Sequence, residues 1–401
     1  MFETPLFWAL LLTTAACFRV AGTSRVRLRA AALALAGVGA LVLVVRLNPV
    51  LILYLVAAAL WIFGGLKLTR RLGEARPYLA SFVVFLPVVV PWVLGKQAVA
   101  LDWRPLRVLY FVGFSFYLIK AWTLVKDYHD RRIERLDVFV VLAYFLFFPA
   151  YIAGPMHFYN EFDATLRAPL RLDGEALVDV LFRVLLGFVK IKLIVALFTP
   201  VSLEAVKASG ALAVRSLVVG SFAYSVVIWA DFSGYSDLAI ATSRLVGIYT
   251  PENFNYPYAA VNISDFWQRW HITFSRVLTA YVFVPVSRKL HAALGDRRKV
   301  VLILAYLATF LFCGYWHGPT LNFLLWGLYH GTGMIVSDLY RQGANKRRLK
   351  RRGRPLFPYA EPLGRAASML LTFSFVSFGW VFFVLPTRTI FSALTVKQIA
   401  H

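Results

Sequence analysis

The chain has 401 residues, of which 60% are apolar and 16% charged, against about 25% charged in a soluble domain. One globular core of this length cannot hide that much apolar surface, and disorder requires the opposite composition, so lipid must solvate most of the chain. The 43 Lys and Arg against 20 Asp and Glu give a formal charge of +23. The basic residues sit in short clusters between apolar runs, which marks cytoplasmic loops facing acidic lipid and not a nucleic-acid surface.

A membrane-crossing helix needs about 20 mostly apolar residues. In chain order the candidate spans are 5–20, 30–46, 49–66, 78–95, 105–125, 136–153, 176–199, 211–230, 275–290, 300–316, 322–340 and 364–386. Leu6–Val20 has no Lys or Arg ahead of it and leads into no small-residue cleavage site, so it reads as a retained span. The basic clusters are Arg25–Arg29, Lys67–Arg76, Lys126–Arg135, Arg288–Lys299 and Arg341–Arg354, the last with eight Lys or Arg and no acid. If all five are cytoplasmic, consecutive clusters must be an even number of spans apart. The parse gives two, two, four and two, which places both chain ends outside the cytoplasm. The stretch after Pro386 then reads as a short amphipathic segment on the far face.

Residues 231–274 depart from this pattern, because polar residues alternate with aromatics and Gly234 and Pro257 interrupt helices. Irregular backbone at membrane depth survives only when buried in protein or lining a wet cavity. The expected fold is an all-α polytopic membrane protein: a ring of about 11–12 transmembrane helices, with re-entrant or interfacial helices around a central tunnel. A single integral membrane domain is expected over 1–401. It has N-terminal helices over 1–100, a motif-bearing core over about 110–340 and a C-terminal helix and tail over 364–401.

Cys17 and Cys313 lie far apart inside apolar stretches and read as packing residues. No spacing suggests a disulfide framework or a metal site. Of seven histidines, His271, His317 and His330 fall within sixty residues in the apolar C-terminal half, where an ionisable group is costly and points to function. His317 follows Trp316 and precedes Gly318-Pro319, which break the helix and free backbone groups. Eighteen residues separate it from Lys299, about 27 Å of helix. Neutral imidazole there suits a general base; a helix-end histidine bonding a free carbonyl fits equally. In SDFWQRWH a helix would put Trp267 with His271 and Asp265 with Arg269 on shared faces, with Ser264 as cap. The same run also fits a Trp-rich interfacial anchor. His330, eleven residues before Arg341, suits a structural hydrogen bond across helices. Asp231 and Asp237 in DFSGYSD need partners, for which Arg244 and Arg269 are available. AGPMHFYNEF (153–162) reads alone as a loop.

Taken in order, DFSGYSD, PENFNYPY, ISDFWQRWHITFS and YWHGPTLNFLLWGLYHG resemble the membrane-bound O-acyltransferase family. The nearest branch is bacterial: alginate-type polysaccharide O-acetyltransferases and the membrane protein of teichoic-acid D-alanylation. AGPMHFYNEF resembles the branch's earlier Gly-Pro motif, and GWVFFVLP (379–386) its C-terminal region. Where many relatives carry Arg-Asp-Tyr, this chain has Thr279-Ala280-Tyr281, and Val282–Leu290 lacks their glycine-rich turn.

The resemblance implies His317 as the intramembrane catalytic histidine and His271 as a second functional one. It also implies a tunnel joining a cytoplasmic thioester to an outside acceptor hydroxyl. The expected activity is transfer of a short acyl group, acetyl, to an extracytoplasmic polysaccharide by an enzyme of the bacterial cytoplasmic membrane. Asn255, Asp231, Tyr235, Trp270, Trp316 and His330 are the expected substrate-binding or supporting residues. No metal and no permanently bound cofactor is expected; acetyl-CoA or an acyl-carrier thioester is the donor. Expected partners are the bilayer, the glycan, an acyl carrier protein that the basic loop 341–354 could dock, and an extracytoplasmic acyltransferase. The alternatives are D-alanyl or other acyl transfer to teichoic acid or peptidoglycan from a carrier protein, and a glycan channel or flippase without chemistry.

Overall fold

The structure, a computed structural model, describes residues 2–44, 49–71, 77–104, 109, 113–169, 172–210, 212–350 and 361–394. The helices in chain order are α1 (Pro5–Ala21), α2 (Val26–Val44), α3 (Pro49–Arg71), α4 (Pro77–Ala100), α5 (Phe114–His129), α6 (Val138–Phe145), α7 (Tyr159–Arg167), α8 (Gly174–Phe188) and α9 (Val195–Phe198). They continue with α10 (Leu203–Ser209), α11 (Val214–Leu245), α12 (Ile263–Arg269), α13 (Ile272–Val277), α14 (Val284–Leu294), α15 (Arg298–His317), α16 (Leu321–Lys350), α17 (Glu361–Val384) and α18 (Thr387–Leu394). Among the described residues the only extended pairing is an isolated bridge between Phe254 and Trp270. The protein is thus an all-α polytopic membrane protein. Five described helices cross a membrane by length and composition: Pro49–Arg70, Leu79–Ala100, Val214–Leu245, Arg298–His317 and Leu363–Val384.

The long apolar runs behave as expected, but four stretches do not. The span expected over 211–230 continues without a break through Gly234 to Leu245, so 231–245 is regular helix and not re-entrant. The polar residues there do not break it because they bond their own helix: Thr242 Oγ1 donates to the Leu238 carbonyl (2.7 Å) and Ser243 Oγ to that of Ala239. The expected span 136–153 is instead the eight-residue α6 and a 3-10 turn, Phe148–Ala150. Eight residues cover about 12 Å, too little to cross. The expected spans 176–199 and 275–290 are each divided by a π-helical stretch, Val189–Ile194 and Leu278–Phe283. The latter holds the divergent Thr279-Ala280-Tyr281. The start of the expected span 105–125, the ends of the clusters Lys67–Arg76 and Arg341–Arg354, and the tail from 395 onward lie outside the described residues.

The chain forms two compact units: Met1–Phe188 with Gly234–Glu252, and Val189–Ser233 with Asn253–His401. In the first unit, buried backbone groups find side-chain partners where the sequence removes their usual ones. Pro91 has no N–H for the carbonyl four residues back, at Pro87, and the Tyr54 hydroxyl of α3 donates to it instead (2.6 Å). Lys120, buried in α5, donates to the Tyr144 carbonyl near the end of α6 (2.8 Å). His157 Nε2 lies 3.1 Å from Thr250 Oγ1 and 3.2 Å from the Tyr249 carbonyl, so the Gly-Pro motif's histidine ties a loop. Arg183 joins Asp179, Asp237 and Glu252, and Arg244 also bonds Asp179.

Candidate active site

The second unit carries the three histidines in question. α15 and α16 form a hairpin whose turn, Gly318–Thr320, follows His317 directly. Their backbones touch: a Cβ on Gly314 would lie 2.3 Å from the Phe323 carbonyl oxygen, and one on Gly327 2.3 Å from that of Phe310. Only glycine permits this approach. It seats His317, half-buried, among rings: Trp326 (5.2 Å between centroids), Phe383 (5.1 Å), Phe323 and Phe274 (6.4 Å each). Trp316, buried, lies against Phe274 at 4.3 Å.

The RWH motif folds differently from a continuous helix. α12 ends at Arg269, so Trp267 and His271 do not share its face. The cap is Asn262, whose Oδ1 accepts from the Asp265 N–H (2.9 Å), while Asp265 accepts from the Val261 N–H (3.1 Å). This reciprocal pair leaves Ser264 no capping role. The Asp265–Arg269 ion pair forms as expected, at 2.7 Å. The interfacial-anchor reading fails on burial: Trp267 is 7% exposed and Trp270 4%, whereas an anchor presents its indoles to headgroups. Trp270 packs on Phe254, Phe266 and Trp380 instead.

His271 adopts a left-handed backbone (φ 46°) between α12 and α13, rare for a residue with a Cβ. The bridge at 254 and 270 puts residue 253 opposite 271, and the Ile272 N–H bonds the Asn253 carbonyl (2.9 Å). The Asn253 side chain completes the hold. Its Oδ1 accepts from the Thr273 N–H (3.3 Å) and Thr273 Oγ1 (2.9 Å), and lies 3.2 Å from His271 Nδ1. A backbone N–H can only donate, so this amide atom is the oxygen, and His271 must donate to it from Nδ1. The neutral imidazole then carries its lone pair on Nε2. Phe274 lies between the two rings, with its centroid 5.0 Å from that of His271 and 6.4 Å from that of His317.

The remaining expected site residues scatter. His330 is fully buried among Trp267 (5.4 Å), Trp326 (4.7 Å) and Phe375 (5.8 Å), and neither ring nitrogen has a hydrogen-bond partner among the described residues. The expected bond across helices is absent; the ring is held by packing. A Cβ on Gly379 would lie 2.7 Å from His330 Nε2, which explains the glycine of GWVFFVLP. Asn255 is exposed and engages Arg269 through its backbone. Tyr235 belongs to the first unit, where its hydroxyl accepts from the Ile152 N–H (3.1 Å). Asp231 is exposed on α11, and both suggested partners, Arg244 and Arg269, pair elsewhere. Asn253, the residue that orients His271, was not singled out in the sequence. The one signal for it was the register of the extended pairing.

The membrane-bound O-acyltransferase family model matches residues 78–360. The teichoic acid D-alanyltransferase of Streptococcus thermophilus is 26% identical over 350 residues, 83% of this chain and 81% of that protein. The peptidoglycan O-acetyltransferase of Helicobacter pylori is 37% identical over 179 residues, 44% of this chain and 30% of that protein. A protein of Azotobacter vinelandii named "Probable alginate O-acetylase AlgI" is 29% identical over 279 residues, 69% of this chain and 51% of that protein. The chain thus spans about half of that relative and less than a third of the Helicobacter one.

Proposed function

The chain belongs to the membrane-bound O-acyltransferase family, and from that premise we propose that it moves an acetyl group from a cytoplasmic thioester to a hydroxyl of an extracytoplasmic polysaccharide. The observation that carries this reading is His317: a half-buried imidazole at the end of a twenty-residue span, in an aromatic pocket that shares Phe274 with a second histidine. His317 takes the acceptor's hydroxyl proton as the oxygen attacks the thioester carbonyl. The C–O bond forms, the C–S bond breaks, and the imidazolium returns the proton to the departing sulfur. Base catalysis of this kind contributes roughly 10²–10⁴-fold. His271, with Nδ1 committed to Asn253, offers Nε2 to orient the acceptor hydroxyl. Trp316 and Trp270 shape the wall, and His330 stands behind Trp326.

The donor is acetyl-CoA or a carrier-bound thioester, and the basic run Arg341–Arg354 suits the acidic phosphates or carrier that would deliver it. An extracytoplasmic acyltransferase would complete delivery to the glycan in a bacterial cytoplasmic membrane. The relative covered over 81% of its length is a D-alanyltransferase, which favours D-alanyl transfer from a carrier protein as the second reading.

The test replaces His317 with Ala or Asn and measures glycan O-acylation in membranes holding wild-type amounts of folded protein. Loss of at least 100-fold is expected; full activity would overturn the mechanism. Supplying acetyl-CoA or D-alanyl carrier protein in the same assay separates the two donors.

A further inference from the structure

A groove of about 790 Å³ runs along the second unit between α16 and α17, with Val261–Ile263 also in its wall, and its Tyr329 and Phe375 pack on their far side against His330. Leu325, Leu328, Val336, Leu371, Phe375 and Phe382 are among its lining residues. Its length from Leu325 to Tyr340 is about 22 Å at ~1.5 Å per helical residue. Three of the hydroxyls in its wall are spent on their own helix or the neighbouring one. Thr372 Oγ1 donates to the Ser368 carbonyl (2.8 Å), Ser368 Oγ to that of Gly364 (2.8 Å), and Tyr329 Oη to that of Phe375 (2.9 Å). The groove is mostly apolar to an occupant, and Val336 (61% exposed) and Leu371 (72%) present their side chains to it.

One end is charged. Arg365, exposed, lies on the α17 face that carries Ser368, Thr372 and Phe375. The two helices are antiparallel, as the Asn322–Phe382 and Tyr329–Phe375 bonds show. The Arg365 end of α17 therefore meets the Tyr340–Arg341 end of α16. Arg341 shares its charge with Asp338 (3.2 Å), and the sequence runs on into KRRLKRRGR. The one glycine of the lining is already covered, since a Cβ on Gly333 would meet Phe375 Cζ at 2.5 Å, so a third helix could not bring its main chain close there.

We propose that this groove binds one acidic glycerophospholipid, with an acyl chain along α16 and α17 and the phosphate at the Arg341 and Arg365 end. The proposal does not depend on the acyl-transfer reading. The test purifies the full chain in mild detergent, delipidates it, and adds phosphatidylglycerol or phosphatidylethanolamine with identical acyl chains, counting bound lipid by native mass spectrometry. Wild type is expected to retain about one phosphatidylglycerol in preference to phosphatidylethanolamine. Arg341→Gln and Arg365→Gln, both at exposed positions, are each expected to weaken that preference about five-fold, the factor matching ~1 kcal/mol per basic group at an acidic membrane surface. Val336→Trp with Leu371→Trp, which fills the groove, is expected to remove both lipids. Equal retention of the two lipids by wild type would overturn the proposal. So would a preference that survives the arginine substitutions, or displacement of a small membrane protein by the Trp pair.

Discussion

Asn253 determines how His271 can act. With Oδ1 occupied by two donors from Thr273, it accepts from His271 Nδ1, which puts the ring's lone pair on Nε2. Asn253→Ala is therefore expected to lower acyl transfer about as far as His271→Ala, with the double variant no worse than either single one. Asn253→Asp, which keeps an acceptor, should recover part of the loss. Independent, multiplying losses would show that Asn253 acts through something other than His271. His330 is the contrasting residue, because neither ring nitrogen has a hydrogen bond among the described residues. His330→Leu should cost less than about 1 kcal/mol in thermal unfolding, since no bond is broken and a polar group leaves the core. A larger loss would reveal a partner for the imidazole. The WH pair was legible because adjacency needs no fold. The role of Asn253 was not, because residues 253 and 271 become neighbours only through the register of one bridge pair.

At the scale of elements, the sequence was most legible where apolar runs were long. α3, α4, α15 and α17 lie close to their expected positions, because about 20 apolar residues have few other ways to be solvated. It was least legible where polarity is hidden by local bonding, as in α11, whose Ser and Thr hydroxyls turn back onto their own helix. The α3–α4 pair offers a test of such hidden satisfaction. Tyr54→Phe removes the donor that replaces the missing N–H of Pro91, which leaves the Pro87 carbonyl bare at a cost of roughly 1–3 kcal/mol. In a Pro91→Ala background the restored N–H serves that carbonyl, so the same substitution should then cost clearly less. Equal costs in both backgrounds would refute the pairing.

For the whole molecule, orientation follows from the α15–α16 hairpin. α15 starts at Arg298 and α16 runs past Arg341, so both basic ends lie on one side. His317 lies at the turn, roughly 28 Å of helix away. In a chain with Cys17 and Cys313 replaced by Ala, a cysteine at Asp296 should react with an impermeant maleimide only from the cytoplasmic side. One at Thr320 should react only from outside. The reverse pattern would invert the topology and the assigned routes of donor and acceptor. The contact at Gly314 and Gly327 adds a mechanical consequence. Two helices pressed main chain to main chain cannot pivot independently, so the imidazole is an anvil and not a swinging arm. On the proposed mechanism, both reactants must travel to it. A shift in acyl-chain preference would then be carved into Phe274, Phe323, Trp326 or Phe383, the rings that bound its pocket, and would not arise by loosening the hairpin.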